Sequence, residues 1–141
     1  MSQEPKKLTV YICGPISGKP NWNREAFEAA EQALKEKGYE PINPHKIPEH
    51  VGAMDQSWHG FMKRDIPYLM KADMVALLDG YTNSKGAWME WELCQDLHIH
   101  NFHIDTILLA GHENAIRIMQ SIEQVWQRDS RDEDALSQLN N

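Results

Sequence analysis

Two acidic residues stand where the helical pattern calls for apolar side chains. Glu90 lies three residues after Ala87 and four before Cys94, so it shares a helix face with apolar neighbours. Asp65 lies in the same way inside the apolar stripe of segment 58–69. A buried carboxylate is costly unless it is paired, hydrogen-bonded or protonated. Two such groups could divide the nucleophile and proton-donor roles of glycosyl transfer, although a partly solvated Glu on an amphipathic helix would show the same spacing.

Two loops carry residues that suit an anionic ligand. The first, Gly14 to Lys19, combines two glycines, a hydroxyl and a cation after an apolar strand, although a plain tight turn explains it equally well. The second, 83–87, offers a hydroxyl at the start of a helix, where an anion is favoured. Tyr11, in the strand before the first loop, could donate its hydroxyl to a carboxylate, and Trp22 could border a base. The candidate substrate-binding residues are Gly14, Ser17, Gly18, Asn23, Ser84, Gly86 and Trp88.

The histidines offer a competing interpretation. The possible metal ligands are Cys94, His98, His100, His103 and His112. Their spacing matches no zinc-site template, so we expect no metal site and no cofactor. A zinc-dependent hydrolase stays as an alternative, and it requires that chelation abolish activity.

The elements that position these residues alternate between strand and helix. Periodicity and turn residues predict strands over 8–13, 39–43, 74–78 and 104–110, and helices over 23–37, 57–69, 86–98 and 113–126, with a loop over 44–56. This alternation predicts an α/β fold with a doubly wound parallel sheet of four to five strands, a Rossmann-like three-layer sandwich. Ligands of such sheets bind at the carboxyl ends of the strands, where both loops lie.

Length and charge bound the function. The chain has 141 residues, which suits one domain, over 1–128, with a polar tail over 129–141. Fourteen Lys and Arg against twenty-one Asp and Glu give a net charge of −7, which disfavours duplex nucleic acid as a partner. No apolar run reaches the roughly 18 residues of a membrane span, and the first residues lack the pattern of a signal peptide. With two lone cysteines, these features predict a cytoplasmic protein.

Three stretches together resemble the nucleoside 2-deoxyribosyltransferase-like superfamily, over about residues 8 to 100. They read YICGPISG (11–18), MKRDIPYLMKADMVALLDG (62–80) and SKGAWMEWELC (84–94). Within the superfamily the sequence is most similar to a widespread, often phage-borne branch with a YIxGPISG motif, related to 2′-deoxynucleoside 5′-monophosphate N-glycosidases. The resemblance implies a flavodoxin-like sheet, cleavage of the bond between a base and deoxyribose, and a homodimer or larger homo-oligomer.

The resemblance also implies roles for individual residues. A Glu four residues after a Gly attacks the anomeric carbon in this superfamily, and Glu90 follows Gly86 at that distance. A Tyr in the first strand, here Tyr11, holds the nucleophile. An Asp eight residues before the Asp that opens the third strand assists base protonation, and this position is Asp65, before Asp73.

The position six residues before the nucleophile separates branches of the superfamily. Transferases that act on nucleosides carry an Asp there, whereas the monophosphate glycosidases carry a Ser, as this chain does at Ser84. A hydroxyl beside a helix N-terminus can donate to a phosphate that a carboxylate would repel. We therefore expect cleavage of the N-glycosidic bond of a deoxynucleoside 5′-monophosphate, by hydrolysis or base exchange, through a covalent glycosyl-Glu90 intermediate. Base exchange on unphosphorylated nucleosides is one alternative.

The chain departs from the glycosidases at three positions. Pro15 and Ser17 stand where those enzymes have Ser and Arg, which removes a cation unless Lys19 or Lys85 replaces it. Trp88 stands where the family has a small residue, which would narrow the pocket. These departures favour a second alternative from another functional class, a non-catalytic sensor that binds a nucleotide at the same sheet edge.

Overall fold

Residues 6–139 are described by a computed structural model, in which strands and helices alternate. The strands are β1 (Thr9–Cys13), β2 (Glu40–Ile42), β3 (Met74–Leu77) and β4 (Asn101–His103); the helices are α1 (Arg24–Glu36), α2 (Trp58–Lys71), α3 (Lys85–Asp96), α4 (Ile104–Ala110) and α5 (His112–Leu139). Short 3₁₀ turns cover Pro20–Asn23, Pro44–Lys46, Pro48–His50 and Tyr81–Asn83.

The four strands form one parallel sheet in the order β2-β1-β3-β4. Side chains of α1, α4 and α5 pack with Val10 and Ile12 of β1 on one face. Side chains of α2 and α3 pack with Tyr11 and Cys13 on the other face. Helices on both faces of a parallel sheet confirm the predicted doubly wound α/β fold.

The β1 strand lies at the point where the strand order reverses. From β1 the chain passes to β2 on one side, and then crosses to β3 on the other. Successive side chains of a strand point to opposite faces, so Tyr11 and Cys13 face α2 and α3 together. The sequence pattern predicted that the carboxyl end of β1 lies at a ligand-binding edge of the sheet.

Serine side chains cap the two helices that carry the candidate carboxylates. The Ser57 hydroxyl accepts a hydrogen bond from the Gly60 amide at the start of α2. Ser84 does the same for Ala87 at the start of α3. Each cap satisfies one amide that the first helical turn leaves without a partner, and Ser57 confirms the predicted helix start.

The strand predicted over 104–110 is wrong, because this segment is helix α4. Ile104 and Ile107 are buried whereas Leu109 is 91% exposed, a spacing that fits a helix and not a strand. His103 caps the helix by accepting a hydrogen bond from the Asp105 amide. The β-branched residues favoured a strand locally, but packing of this face against the sheet outweighs that preference.

Helix α5 is longer than its sequence pattern indicates. The predicted end was Trp126, but the helix continues to Leu139, so most of the polar segment 129–141 is helical. None of the described helices is both long enough and apolar enough to cross a membrane.

Candidate active site

Glu90 and Tyr11 are joined by a short hydrogen bond in the layer between the sheet and α3. The Tyr11 hydroxyl donates to Glu90 Oε2 at 2.5 Å. Glu90 is 5% exposed and Tyr11 is fully buried. Burial raises the pKa of Glu90 to about 8, with the Asp65 charge adding to the rise and the Tyr11 hydrogen bond opposing it. Burial, followed by the Glu90 charge, raises the pKa of Tyr11 well above its usual range.

Asp65 supplies the second buried carboxyl group, from α2. Asp65 is 6% exposed to solvent. Burial raises the pKa of Asp65 to about 6, against the opposing effects of His50 and Arg64. The Asp65 charge contributes to the raised pKa of both Glu90 and Tyr11, so the three groups lie within electrostatic range of one another. Both carboxyl groups are buried, which confirms the sequence prediction that they face inward.

Sequence reasoning missed His50, which contacts Asp65, and Arg64, which contacts His50. His50 Nε2 lies 2.8 Å from Asp65 Oδ1. Arg64 Nε donates to His50 Nδ1 at 2.7 Å. His50 comes from the loop between β2 and α2, fifteen residues before Asp65, and no periodicity links the two positions. Only the folding of the loop back over α2 could bring them together.

The two cysteines lie in the same layer. The Cys13 thiol donates to the Ala87 carbonyl oxygen at 3.4 Å. Burial raises the pKa of Cys13 well above its usual range and the pKa of Cys94 to about 12, with the Glu90 charge as the second cause in both. Thiols of such high pKa are poor nucleophiles, so their part here is packing.

The loop after β1 is held against β3. A Cβ atom at Gly14 would lie 2.9 Å from the Leu78 Cβ, so only glycine fits this close approach. Asn23 Nδ2 donates to the Pro15 carbonyl oxygen at 2.9 Å and closes the loop. Both residues were predicted to bind substrate, and the structure shows each of them in contact with the protein itself.

Ser17 and Gly18 form the outward part of that loop. Both are exposed, and Gly18 has a φ of +78°, which favours glycine. Three consecutive residues beyond them, Asn21 to Asn23, also have positive φ, a conformation that costs energy in residues with a Cβ. Trp22, within this turn, is 57% exposed and lies under the Arg24 guanidinium, 5.0 Å from its ring centre.

The start of α3 brings the remaining candidates together. A Cβ atom at Gly86 would lie 3.3 Å from both Trp58 Nε1 and Met62 Sδ, so α2 and α3 pack closely there. The Lys85 ammonium lies 4.2 Å from the centre of the Trp58 ring. Trp88 is 38% exposed and packs on Trp91, with ring centres 4.6 Å apart.

A cleft on the other side of the same edge is lined by Lys19, Asn23, Asp79, His103 and Asp105, among others. Lys19 therefore shares this cleft with two carboxylates, which weakens it as a replacement for the missing cation. No group of three or more His, Cys, Asp or Glu in the described part of the chain is arranged to hold a metal ion.

Comparison with known families gives the family of the sequence. The profile of a family described as Domain of unknown function (DUF4406) matches residues 8–102, about two-thirds of the chain. The chain belongs to the DUF4406 family. Tyr11, Asp65 and Glu90 of this DUF4406 protein all lie within the matched region.

A solved structure has the same fold as the DUF4406 chain. It is a 2-deoxyribosyltransferase from the psychrotolerant bacterium Bacillus psychrosaccharolyticus, at 20% sequence identity and a TM-score of 0.52, covering 66% of this chain and 69% of that one. This similarity confirms the three-layer α/β architecture that the superfamily resemblance implied. No curated protein matches the sequence significantly.

Proposed function

We propose that the protein cleaves the N-glycosidic bond of a deoxynucleoside 5′-monophosphate through a covalent glycosyl-Glu90 intermediate. The hydrogen bond from Tyr11 to the buried Glu90 is the observation that carries the proposal. A buried carboxyl group held by one donor, with a second carboxyl group on the facing helix, is the pair that retaining glycosyl transfer uses. The solved neighbour is a 2-deoxyribosyltransferase, which agrees with this chemistry.

The reaction has two displacement steps. In the first, a Glu90 oxygen bonds to the anomeric carbon while the bond from that carbon to the base breaks, and Asp65 gives its proton to the leaving base. In the second, water or another base attacks the same carbon and Glu90 leaves as a carboxylate. The attacking group loses a proton, which returns to Asp65.

The phosphate in this proposal lies at the N-terminus of α3. Ser84 already accepts a hydrogen bond from the Ala87 amide, so its own hydroxyl hydrogen is available to a phosphate oxygen. The backbone amide of Gly86, in the first turn of α3, is the second donor that we propose for the phosphate. Ser17 and Gly18, exposed at the tip of the first loop, complete the proposed phosphate contacts.

The pKa values of the two carboxyl groups have a consequence for the rate. The mechanism needs a protonated Asp65 and an ionised Glu90, but the pKa of Asp65 is about 6 and that of Glu90 about 8. The reacting protonation state is then the minority one, because burial places the pKa of Glu90 above that of Asp65. Activity should follow a bell-shaped pH profile centred near pH 7, with modest turnover at its maximum.

The raised pKa of Glu90 also favours a second candidate from another functional class, a nucleotide sensor. A Glu90 that is protonated at neutral pH and 5% exposed suits a nucleotide sensor that binds without cleaving. Such a protein would show a higher melting temperature with a nucleotide and would release no base.

Chromatographic detection of free base tests these candidates directly. Wild type, Glu90→Ala and the control Glu92→Ala are each incubated with the deoxynucleoside monophosphates and with the matching nucleosides. Glu92 is exposed and lies on a different face of α3, so its variant should keep full activity. We expect wild type and the control to release base from monophosphates and Glu90→Ala to release none. Release from nucleosides alone would indicate base exchange, and activity of Glu90→Ala would refute the covalent mechanism.

The proposal also includes the domain bounds and the assembly state of the active protein. We infer a single catalytic domain over 1–128 that works as a homodimer or larger assembly. Exposed apolar side chains support this, since Val51 is 87% exposed and Met54 fully exposed in the loop that crosses α2. Light scattering of the purified protein would show the assembly, and a monomer at assay concentration would contradict it.

A further inference from the structure

The contact between Arg64 and His50 decides which ring nitrogen of His50 carries a hydrogen. The Arg64 Nε–H donates to His50 Nδ1 at 2.7 Å. A guanidinium is always a donor, so Nδ1 must present its lone pair. In the neutral imidazole the hydrogen is therefore on Nε2, and Nε2 lies 2.8 Å from Asp65 Oδ1. The hydrogen bond runs from Arg64 to His50 and from His50 to Asp65.

We propose that His50 is a positioning residue for Asp65: it donates from Nε2 to Oδ1 and thereby leaves Oδ2 to carry the proton that passes to the leaving base. The donation from His50 to Asp65 stands independently of any activity. The transfer of the proton from Oδ2 to the base rests on the proposed function. A carboxyl group whose one oxygen is occupied by a donor must hold its proton on the other. The proton is thus directed to one side of the carboxyl group instead of being shared between both.

The surroundings of His50 hold it in one orientation. Its side chain is 12% exposed and that of Asp65 is 8% exposed. Its ring packs on Phe61, with ring centres 4.7 Å apart, and the Arg64 guanidinium lies 4.8 Å from the same Phe61 ring. Arg64 Nη1 also donates to the Asp55 carbonyl oxygen at 2.8 Å, which fixes the guanidinium from the far side. A side chain held this closely can orient a neighbour, since it has little rotamer freedom left to lose.

Four charged or titratable groups act on Asp65. His50 and Arg64 favour its ionised form from the loop and from α2. Glu90 on α3 and Tyr11 on β1 are electrostatically coupled to it, and a charge on either of them would favour its protonated form. Removing the His50 donor should therefore move Asp65 toward the protonated state.

Nuclear magnetic resonance tests the hydrogen bond between His50 and Asp65 without any substrate. The ¹⁵N shifts of His50 in wild type should report the Nε2–H form, and the carboxyl ¹³C shift of Asp65 should give its pKa. In His50→Leu that pKa should rise by about 1 to 2, because a donor to the carboxylate is lost. His50→Gln should restore it, since the Gln amide nitrogen reaches the position of Nε2, whereas the shorter His50→Asn should not. An Nδ1–H form, or an unchanged Asp65 pKa in His50→Leu, would overturn the proposal whether or not the protein is an enzyme.

The effect on catalysis is measured separately, by base release across pH. In His50→Leu the acid limb should move to higher pH together with the Asp65 pKa, which enlarges the fraction of enzyme in the reacting protonation state. The kcat divided by that fraction should fall about tenfold, with little change in KM, because the proton of Asp65 is no longer directed to Oδ2. His50→Gln should recover most of this normalised kcat. A pKa that rises while the normalised kcat stays unchanged would refute the positioning role in catalysis. Absence of base release from wild type, with the expected resonance shifts, would refute the proposed function and leave the His50–Asp65 pair established.

Discussion

Replacing Glu90 with Gln should stabilise the protein above neutral pH. Gln has nearly the same shape as a protonated Glu and its carbonyl oxygen can accept the Tyr11 hydrogen bond, but it cannot ionise. The wild-type carboxyl group must either hold its proton or place a charge in a site that is 5% exposed. Both choices cost stability relative to the unfolded chain, where Glu90 ionises freely in water.

The size and sign of this change in stability follow from the pKa of Glu90. Folding raises the pKa of Glu90 from 4.5 to about 8, so between these pH values the unfolded state binds fewer protons than the folded state. The free energy of unfolding therefore falls as pH rises through this window, and the loss is complete above about pH 8. At about 1.4 kcal/mol for each pKa unit, the upper bound is about 5 kcal/mol. Glu90→Gln should show no advantage near pH 4 and an advantage of about 2 to 5 kcal/mol at pH 8 to 9.

Urea unfolding followed by tryptophan fluorescence at several pH values between 4 and 9 provides the measurement. Asp65 is present in both proteins, so the difference between the two curves reports Glu90 together with its effect on Asp65. Glu92→Gln, at an exposed position two residues away, should follow wild type at every pH. If Glu90→Gln is no more stable than wild type at pH 9, Glu90 is neither as buried nor as perturbed as the structure indicates, and the protonation argument for the mechanism fails with it.

Three further changes test other parts of the structure. Tyr11→Phe removes the donor to Glu90 and should raise the pKa of that carboxyl group further, so base release at pH 7 should drop at least about tenfold and recover partly at higher pH. Ser84→Asp places a carboxylate where we propose the phosphate, and steady-state assays should show monophosphate cleavage falling by about a hundredfold or more while nucleoside cleavage is spared. Gly14→Ala forces a methyl group to within 2.9 Å of the Leu78 Cβ, and thermal unfolding should show a loss of about 1 to 3 kcal/mol; an unchanged melting temperature would mean that the loop moves aside.

Periodicity was sufficient to predict most of the fold. The alternation of short apolar runs with amphipathic segments identified three of the four strands. A strand buried on both faces has little freedom in its composition, which marks β1 and β3, whereas the partly exposed β2 is marked by Gly38 before it and Pro44 after it. The fourth was misplaced: its three residues, Asn101–His103, are only partly buried, and the apolar run after them belongs to α4. Three partly exposed residues with no Gly or Pro beside them carry too little pattern to mark an edge strand.

The sequence by itself determined that Glu90 and Asp65 face inward, since helical spacing placed each carboxylate among apolar neighbours. It also determined the two loops at the carboxyl ends of β1 and β3. The tertiary structure alone decided which groups meet there. The Tyr11–Glu90 bond joins residues 79 apart in the chain, and the Asp65–His50 contact depends on an irregular loop that folds back over α2. Burial also set the order of the two carboxyl pKa values, because desolvation depends on the atoms that surround a group in space and not on its neighbours along the chain.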